Sequence, residues 1–275
     1  MSVGDLLNAD LAVGGRLAGA AVRASLGSTR LLVLRTLGSA VFVGTEVVGL
    51  VLLLDRFGRL GGWTTGEVVL LLGLAQVGLG LGMLLGDTLE PPVFSLLIRE
   101  GRLDSVLTRP VPVLLWVMTS DVQARELGRA SAGLVAALWG AQLAGVSASP
   151  LTLSVALLAV VCCTAVVVAI LVFGASATFF TVEGSELVNA FTYGGATLSA
   201  YPMQIYGSVV RAVFLWLVPL GLTVYVPALT LLDRTGPPGV PASLLAVTPV
   251  ATLAFGGVAA LAWRAGLRHY TGTGS

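Results

Sequence analysis

Apolar residues in this chain run in unbroken blocks, separated by short clusters of charge, proline and glycine. Cutting the sequence at those clusters leaves six apolar segments, near 37–54, 66–86, 128–146, 151–180, 210–231 and 246–263. About 20 helical residues, rising ~1.5 Å each, cross a ~30 Å hydrocarbon layer, so each block is of the order of one span. The pattern predicts an all-α fold, a polytopic membrane helical bundle of six transmembrane helices.

The segments between the blocks complete a single transmembrane domain over 1–275. Residues 1–36 form a cytoplasmic or interfacial helix, 37–86 hold spans one and two, and 87–127 form a long polar loop. Spans three and four follow over 128–180, an interfacial segment over 181–209, spans five and six over 210–263, and a tail over 264–275. Arg16, Arg23 and Arg30 recur every seven residues among leucines and valines, a spacing that keeps them near one helical face and suits a helix lying on a leaflet. The same pattern also fits an N-terminal extension of the first span. In the 181–209 stretch, Gly194, Gly195 and the aromatics Tyr201 and Tyr206 suit an interfacial or partly re-entrant piece.

Composition agrees with lipid as the solvent of this fold: 56% of residues are hydrophobic and 11% charged, against about 25% charged in a soluble domain. Arginine distribution then sets the orientation, because cytoplasmic loops retain positive charge. With both termini inside, twelve arginines lie on the inner side and three (Arg56, Arg59 and Arg234) on the outer. The 87–127 loop, which carries ten charged residues from Asp87 to Glu126, is therefore expected in the cytoplasm. A net charge of +1 gives no reason to expect a nucleic-acid partner.

Polar residues inside the blocks are few. Glu46 falls mid-span, where an unpaired carboxylate is expensive and marks a candidate functional site. It reads either as a proton relay or polar spot on a substrate path, or as a protonated or hydrogen-bonded group facing Thr45, Gln76 or Gln142. No arginine is expected at its depth. Glu46, Gln76 and Gln142 are the candidates for a substrate path. Gly78, Gly82 and Gly86 recur every fourth residue and expose a bare stripe for close helix approach.

Enzyme chemistry finds little footing. The one histidine, His269, lies in the tail; Cys162 and Cys163 are adjacent in an apolar block and read as packing residues; no cluster has metal-ligand spacing. The chain contains no lysine, so a G-x-x-x-x-G-K-[ST] phosphate loop cannot exist in it. No catalytic residue, cofactor or metal is expected in this chain, and any use of ATP belongs to a partner.

The long loop reads FSLLIREGRLDSVLTRPVPVLLWV from Phe94 to Val117. Here the sequence resembles the permeases of type-2 ATP-binding-cassette (ABC) exporters, in particular a bacterial branch sharing an I-x-x-G-x-L-D-x-x-L-x-R-P stretch. That stretch is Ile98, Gly101, Leu103, Asp104, Leu107, Arg109 and Pro110 in this chain. YPMQIY at 201–206, VPLGLTVYVPALTLL in the fifth block and the tail WRAGLRHYTGTGS extend the resemblance. It implies export across the bacterial plasma membrane by two six-span permeases, identical or related, with separate cytoplasmic nucleotide-binding ATPase subunits that hold ATP and Mg.

The loop would then be the element that couples to the ATPase, through Arg99, Glu100, Gly101, Arg102, Leu103, Asp104, Leu107, Arg109 and Pro110. Leu103, Val106 and Leu107 recur at helical spacing beside these charges, an amphipathic surface suited to a groove on a soluble partner. Gly101 and Pro110 would bound it as a compact knob. The plainer reading makes this an ordinary charged loop whose arginines only enforce orientation. Two other classes stay open: an ion-coupled secondary transporter using Glu46, and a membrane scaffold that uses the loop only for docking.

Overall fold

The computed structural model describes residues 29–108, 111–120, 123, 125–180, 190–237 and 240–270. Arg16, Arg23, Arg109 and Pro110, the start of the interfacial segment and the last five residues of the tail lie outside them. The molecule is 82% helical and has no strand among the described residues.

Helix α1 (Thr29–Phe57) takes in Arg30 and continues into the first span without a break. A turn over 58–64 leads to α2 (Thr65–Gly86). Gly58, Gly61 and Gly62 hold φ of 82°, 57° and 84° there, backbone that side-chain-bearing residues rarely adopt. Thr64 caps α2, with Glu67 reaching back to its backbone N–H at 2.6 Å. After a single turn at Asp87–Leu89 come three short helices, α3 (Pro91–Arg99), α4 (Arg102–Leu107) and α5 (Val113–Ser120). The long helices α6 (Glu126–Leu143) and α7 (Pro150–Ala177) follow.

Among the described residues, four helices are long and apolar enough to cross a membrane, with bounds Val33–Phe57, Thr65–Arg99, Pro150–Ala177 and Thr248–His269. Their outward faces carry large apolar side chains, among them Leu34, Val41 and Leu52 on α1 and Leu153, Leu157 and Val161 on α7. Polar groups such as Gln76, Glu126, Thr223 and Thr252 are buried instead. This arrangement suits a hydrocarbon solvent. Helix α6, more polar through Glu126, Arg129 and Gln142, falls outside that set of four yet lies antiparallel along the whole of α2.

Glycines decide how α2 packs. Cβ atoms at Gly66, Gly73 and Gly80 would run into Leu143, Ala137 and Ala130 of α6, while those at Gly133 and Gly140 of α6 would strike the backbone of Val77 and Leu70. On the adjoining stripe Gly78, Gly82 and Gly86 face Cys163, Val167 and Leu171 of the parallel α7. Two glycine rows therefore seat α2 backbone-close between two neighbours, a geometry that recovers dispersion contacts where lipid offers no hydrophobic drive. Gly128 does the same for α1, since a Cβ there would meet the carbonyl of Thr36.

The second half departs from the sequence expectation. Residues 190–207, read as part of a loop at the arginine-rich end, run through the bundle instead: Tyr193 bonds Glu90 at that end, and Ile205 lies against Gly61 at the other. The path is a π-turn (Ala190–Gly194), α8 (Gly195–Ser199) and a turn at Met203–Ile205. Gly194, Gly195 and Pro202 interrupt it, so no apolar block long enough to read as a span arises.

Nor is the expected fifth span straight. Ser208–Leu217, comprising α9 (Ser208–Ala212) and a π-turn, meets α10 (Leu220–Leu231) at 98°. Both ends of the pair lie at the Gly61 end, because Arg234 beyond α10 bonds the Gly62 carbonyl at 2.9 Å and Glu67 at 2.9 Å. The chain thus dips in and returns. Pro219, without an N–H, sits at the bend, and Gly221 lets Met203 and the Phe214 carbonyl close over it. Helix α11 (Thr248–His269) then descends along α7 to the arginine-rich end, where Gly266 makes room for Phe179.

Replacing Gly140 with alanine would force a Cβ onto the Leu70 backbone, an overpacking cost of about 1–3 kcal/mol. Gly256→Ala, which meets nothing within 4 Å, provides the neutral or stabilising control. Thermal aggregation of the detergent-solubilised chain should rank Gly140→Ala below the wild type and Gly256→Ala at or above it.

Candidate functional site: a polar ladder and the loop beneath it

Glu46 is half-buried on the inward side of α1, and Gln76 faces it from α2. The Gln76 amide donates to the Glu46 carboxylate at 2.6 Å and accepts from the Arg129 guanidinium at 3.1 Å. Of the neighbours expected for Glu46, only Gln76 is there: Thr45 is exposed and bonds the Val41 carbonyl, and Gln142 is exposed near the far end of α6. The expectation that no arginine reaches this depth also fails. Arg129 is one turn into α6, and the antiparallel glycine seam brings that turn beside Gln76.

From Arg129 the polar contacts continue to the arginine-rich end. Its Nε bonds Glu126 at 3.0 Å, Arg125 Nε bonds the other oxygen of Glu126 at 3.0 Å, and Arg125 Nη2 bonds Asp87 at 2.9 Å. Glu126, its side chain 5% exposed, is therefore clamped by two guanidiniums. Asp87 is almost as buried, whereas Arg125 keeps 40% of its side chain open. A buried carboxylate survives only when paired in this way.

The upper part of the ladder opens into a cavity of about 300 Å³ lined by Phe42, Glu46, Ala75, Gln76, Leu79, Arg129, Tyr193 and Thr197. Arg129 also stacks over the Phe42 ring, 5.8 Å from its centroid. Tyr193 and Thr197, four residues apart, present one face of the 190–199 segment to the cavity, and both Phe42 and Thr197 are exposed at the bundle surface. The cavity joins apolar, aromatic and oppositely charged walls, and it opens to the side of the helices. It can hold an amphipathic group through ion pairing and apolar contact together. No group of three or more histidine, cysteine or acidic side chains among the described residues could hold a metal.

Below the ladder, the arm α3–α4 leaves the end of α2. Phe94 of α3 meets Phe179 and Trp263 with centroids 5.4 and 5.6 Å away, which pins the arm to the ends of α7 and α11. Gly101, at φ 67°, separates α3 from α4. The apolar face of α4 is turned the other way from expectation: Leu103 and Val106 are fully buried in the protein's own core, leaving only Leu107 of the three exposed. Around the junction of α3 and α4 the open surface includes Arg99, Glu100, Arg102, Ser105, Leu107 and Thr108, with Arg102 and Glu100 paired at 3.7 Å, and Val93 and Leu96 are exposed farther back on α3. Asp104 is not free for a partner, since Tyr270 donates a hydrogen bond to it at 2.9 Å.

The bundle thus combines apolar helices long enough to span a membrane, a side cavity and a charged arm at one end. The sequence matches the family of ABC-2 family transporter proteins over residues 40–274. The chain belongs to that family. Neither curated proteins nor solved structures give a match. As an ABC-2 permease it is a membrane component, of a family that works with ATPase subunits.

The sequence reading missed the ladder itself. Its one signal was the spacing of Glu126 and Arg129, three residues apart at the start of an apolar block, a pair that one helical turn brings together.

Removing the clamped carboxylate should cost most. Glu126→Ala leaves Arg125 to Asp87 alone and the largely buried Arg129 without a carboxylate, and is expected to destabilise the fold by about 3 kcal/mol. Asp87→Asn, which still accepts a hydrogen bond from the half-open Arg125, should cost about 1 kcal/mol. Denaturation of the purified protein in detergent, followed by tryptophan fluorescence, measures both.

Proposed function

We propose that this chain is the transmembrane subunit of an ABC exporter in the bacterial plasma membrane, with its arginine-rich end and both termini in the cytoplasm. Two such permeases, identical or related, form the pathway, and separate ATPase subunits that bind ATP and Mg dock against α3–α4. The observation that carries this reading is the combination of family membership with the exposed Arg99, Glu100, Arg102 and Leu107 around the junction of α3 and α4. Burial of Leu103 and Val106 supports it in an altered form: the apolar side anchors the knob in the permease, and the charged side is offered outward. The twelve-to-three arginine bias supports the orientation.

In this reading the family's six-span plan is met by four straight spans, the antiparallel α6 and the interrupted 190–207 crossing. ATP binding draws the ATPase subunits together, and their motion reaches the permease through α3–α4 as a rigid-body shift. Glu46, Gln76 and Arg129 form a polar station on the cargo path. Residues Arg109 and Pro110 complete the coupling stretch by resemblance.

Reversal of both exposed arginines, Arg99→Glu with Arg102→Glu, should leave membrane insertion intact and cut stimulation of the partner's ATP hydrolysis by about tenfold or more. Unchanged stimulation would remove the coupling role. A separate measurement concerns the cavity: Glu46→Gln keeps the amide network but removes the charge, so transport by the reconstituted complex should fall with little dependence on pH. A variant that matches the wild type at neutral pH while abolishing a pH dependence present in the wild type would instead favour an ion-coupled carrier.

A further inference from the structure

The coupling arm is fixed at both ends by the same chemistry. At its root, Glu90, the residue that caps α3, accepts a hydrogen bond from the Tyr193 hydroxyl at 2.5 Å. At its tip, Asp104 of α4 accepts one from the Tyr270 hydroxyl at 2.9 Å. The two tyrosines come from opposite sides. Tyr193 is part of the cavity wall, whereas Tyr270 follows α11 and sits in an aromatic cluster with Phe179, 5.7 Å between centroids.

We propose that Tyr193 and Tyr270 are positioning residues that turn α3–α4 into a lever, tying its root to the cavity wall and its tip to the last helix. The proposal rests on the coupling role given to α3–α4 above and adds the route by which that motion reaches the cavity. An arm joined to the bundle only by apolar contacts could slide, because such contacts are non-directional. A hydrogen bond to a carboxylate has a fixed length and direction. Phe94, wedged among Phe179 and Trp263, and the buried Leu97, Leu103 and Val106 form an apolar seat between the two bonds. The two directional bonds oppose sliding of the arm along that seat.

Gly101 is the one weak place, and Tyr270 lies on its far side, so the tip is held independently of the backbone at that glycine. Burial, helped by the bond to Asp104, pushes the Tyr270 phenol up to about 12. Its proton, and hence the donor, is therefore present throughout the neutral range, and the contact is lost only as pH rises from the usual tyrosine range toward 12.

The test uses the full chain in complex with its ATPase subunit in lipid vesicles. An environment-sensitive dye is attached at Thr197→Cys on the cavity rim, with Cys162 and Cys163 changed to alanine. Addition of ATP and Mg should change the fluorescence of the wild-type background. Tyr193→Phe and Tyr270→Phe should each reduce that change by about tenfold, the loss expected for one hydrogen bond to a charged acceptor. Glu90→Gln and Asp104→Asn retain an acceptor oxygen and should stay within about twofold of wild type. To separate loss of the lever from loss of folding, Asp104→Cys with Tyr270→Cys is bridged by a reducible bifunctional thiol reagent. The signal should be present when bridged and vanish on reduction of the same sample.

Equal signals in the bridged and reduced forms, or full signals in both phenylalanine variants while Arg99→Glu with Arg102→Glu is silent, would overturn the lever and leave the coupling role standing. A full signal in that arginine variant would bring down the coupling role and the lever with it.

Discussion

The close seam between α2 and α6 is the constraint from which the rest of the structure follows. Glycines on both helices bring the two backbones so near that any side chain at Gly73 or Gly140 would occupy its neighbour's main chain. In lipid, association gains little from apolar burial, and contact density takes its place. The seam therefore does in the membrane what a hydrophobic core does in water. It also fixes the register, because each seam glycine is closed over by a particular turn of the facing helix. Gly80 faces Ala130 and the Glu126 carbonyl, and Gly133 faces the side chain of Gln76.

That register explains the ladder. Once Gly133 lies beside Gln76, the turn of α6 below it delivers Arg129 to the Gln76 amide and Glu126 between two guanidiniums. Among the described residues, four carboxylates, Glu46, Asp87, Glu90 and Glu126, then share this region with Arg125 and Arg129. Such a set is tolerable only if every member has a donor, and each does: Gln76, Arg125, Tyr193 and the two arginines, in that order. The polar interior and the close helix packing are in this sense one feature, since a slip of one residue along the seam would strand several charges at once.

Much of this was legible before any coordinates. The apolar blocks gave the long helices, and the fourfold spacing of Gly78, Gly82 and Gly86 marked a contact stripe, which faces α7. The sevenfold row Gly66, Gly73 and Gly80 went unread because its partners Gly133 and Gly140 lie in another block, and only the antiparallel packing shows that the two rows belong together. The Glu46–Arg129 relation is likewise tertiary, bridged by a residue between them in sequence. The 190–207 crossing could not be read from periodicity, as its glycines and Pro202 break every window long enough to carry a signal. On α4 the amphipathic pattern was correctly seen and its direction was not. A helical stripe says which residues face together but not whether they face the protein or a visitor.

The direction of α4 bears on how force can enter the bundle. A knob whose apolar side gripped a partner would have to hold its own position through polar contacts alone, and it would be pulled away from the permease by any motion of that partner. With Leu103 and Val106 fully buried at home, the stronger attachment lies inside the chain and the weaker, charged surface faces out. A partner can then push, pull and release the arm repeatedly without detaching it. Because α3 begins one turn after the seam helix α2 ends, displacement of the arm acts directly on the end of the helix carrying Gln76. On the coupling role proposed for the arm, the cavity lies where such a displacement would meet the polar contacts that shape its wall.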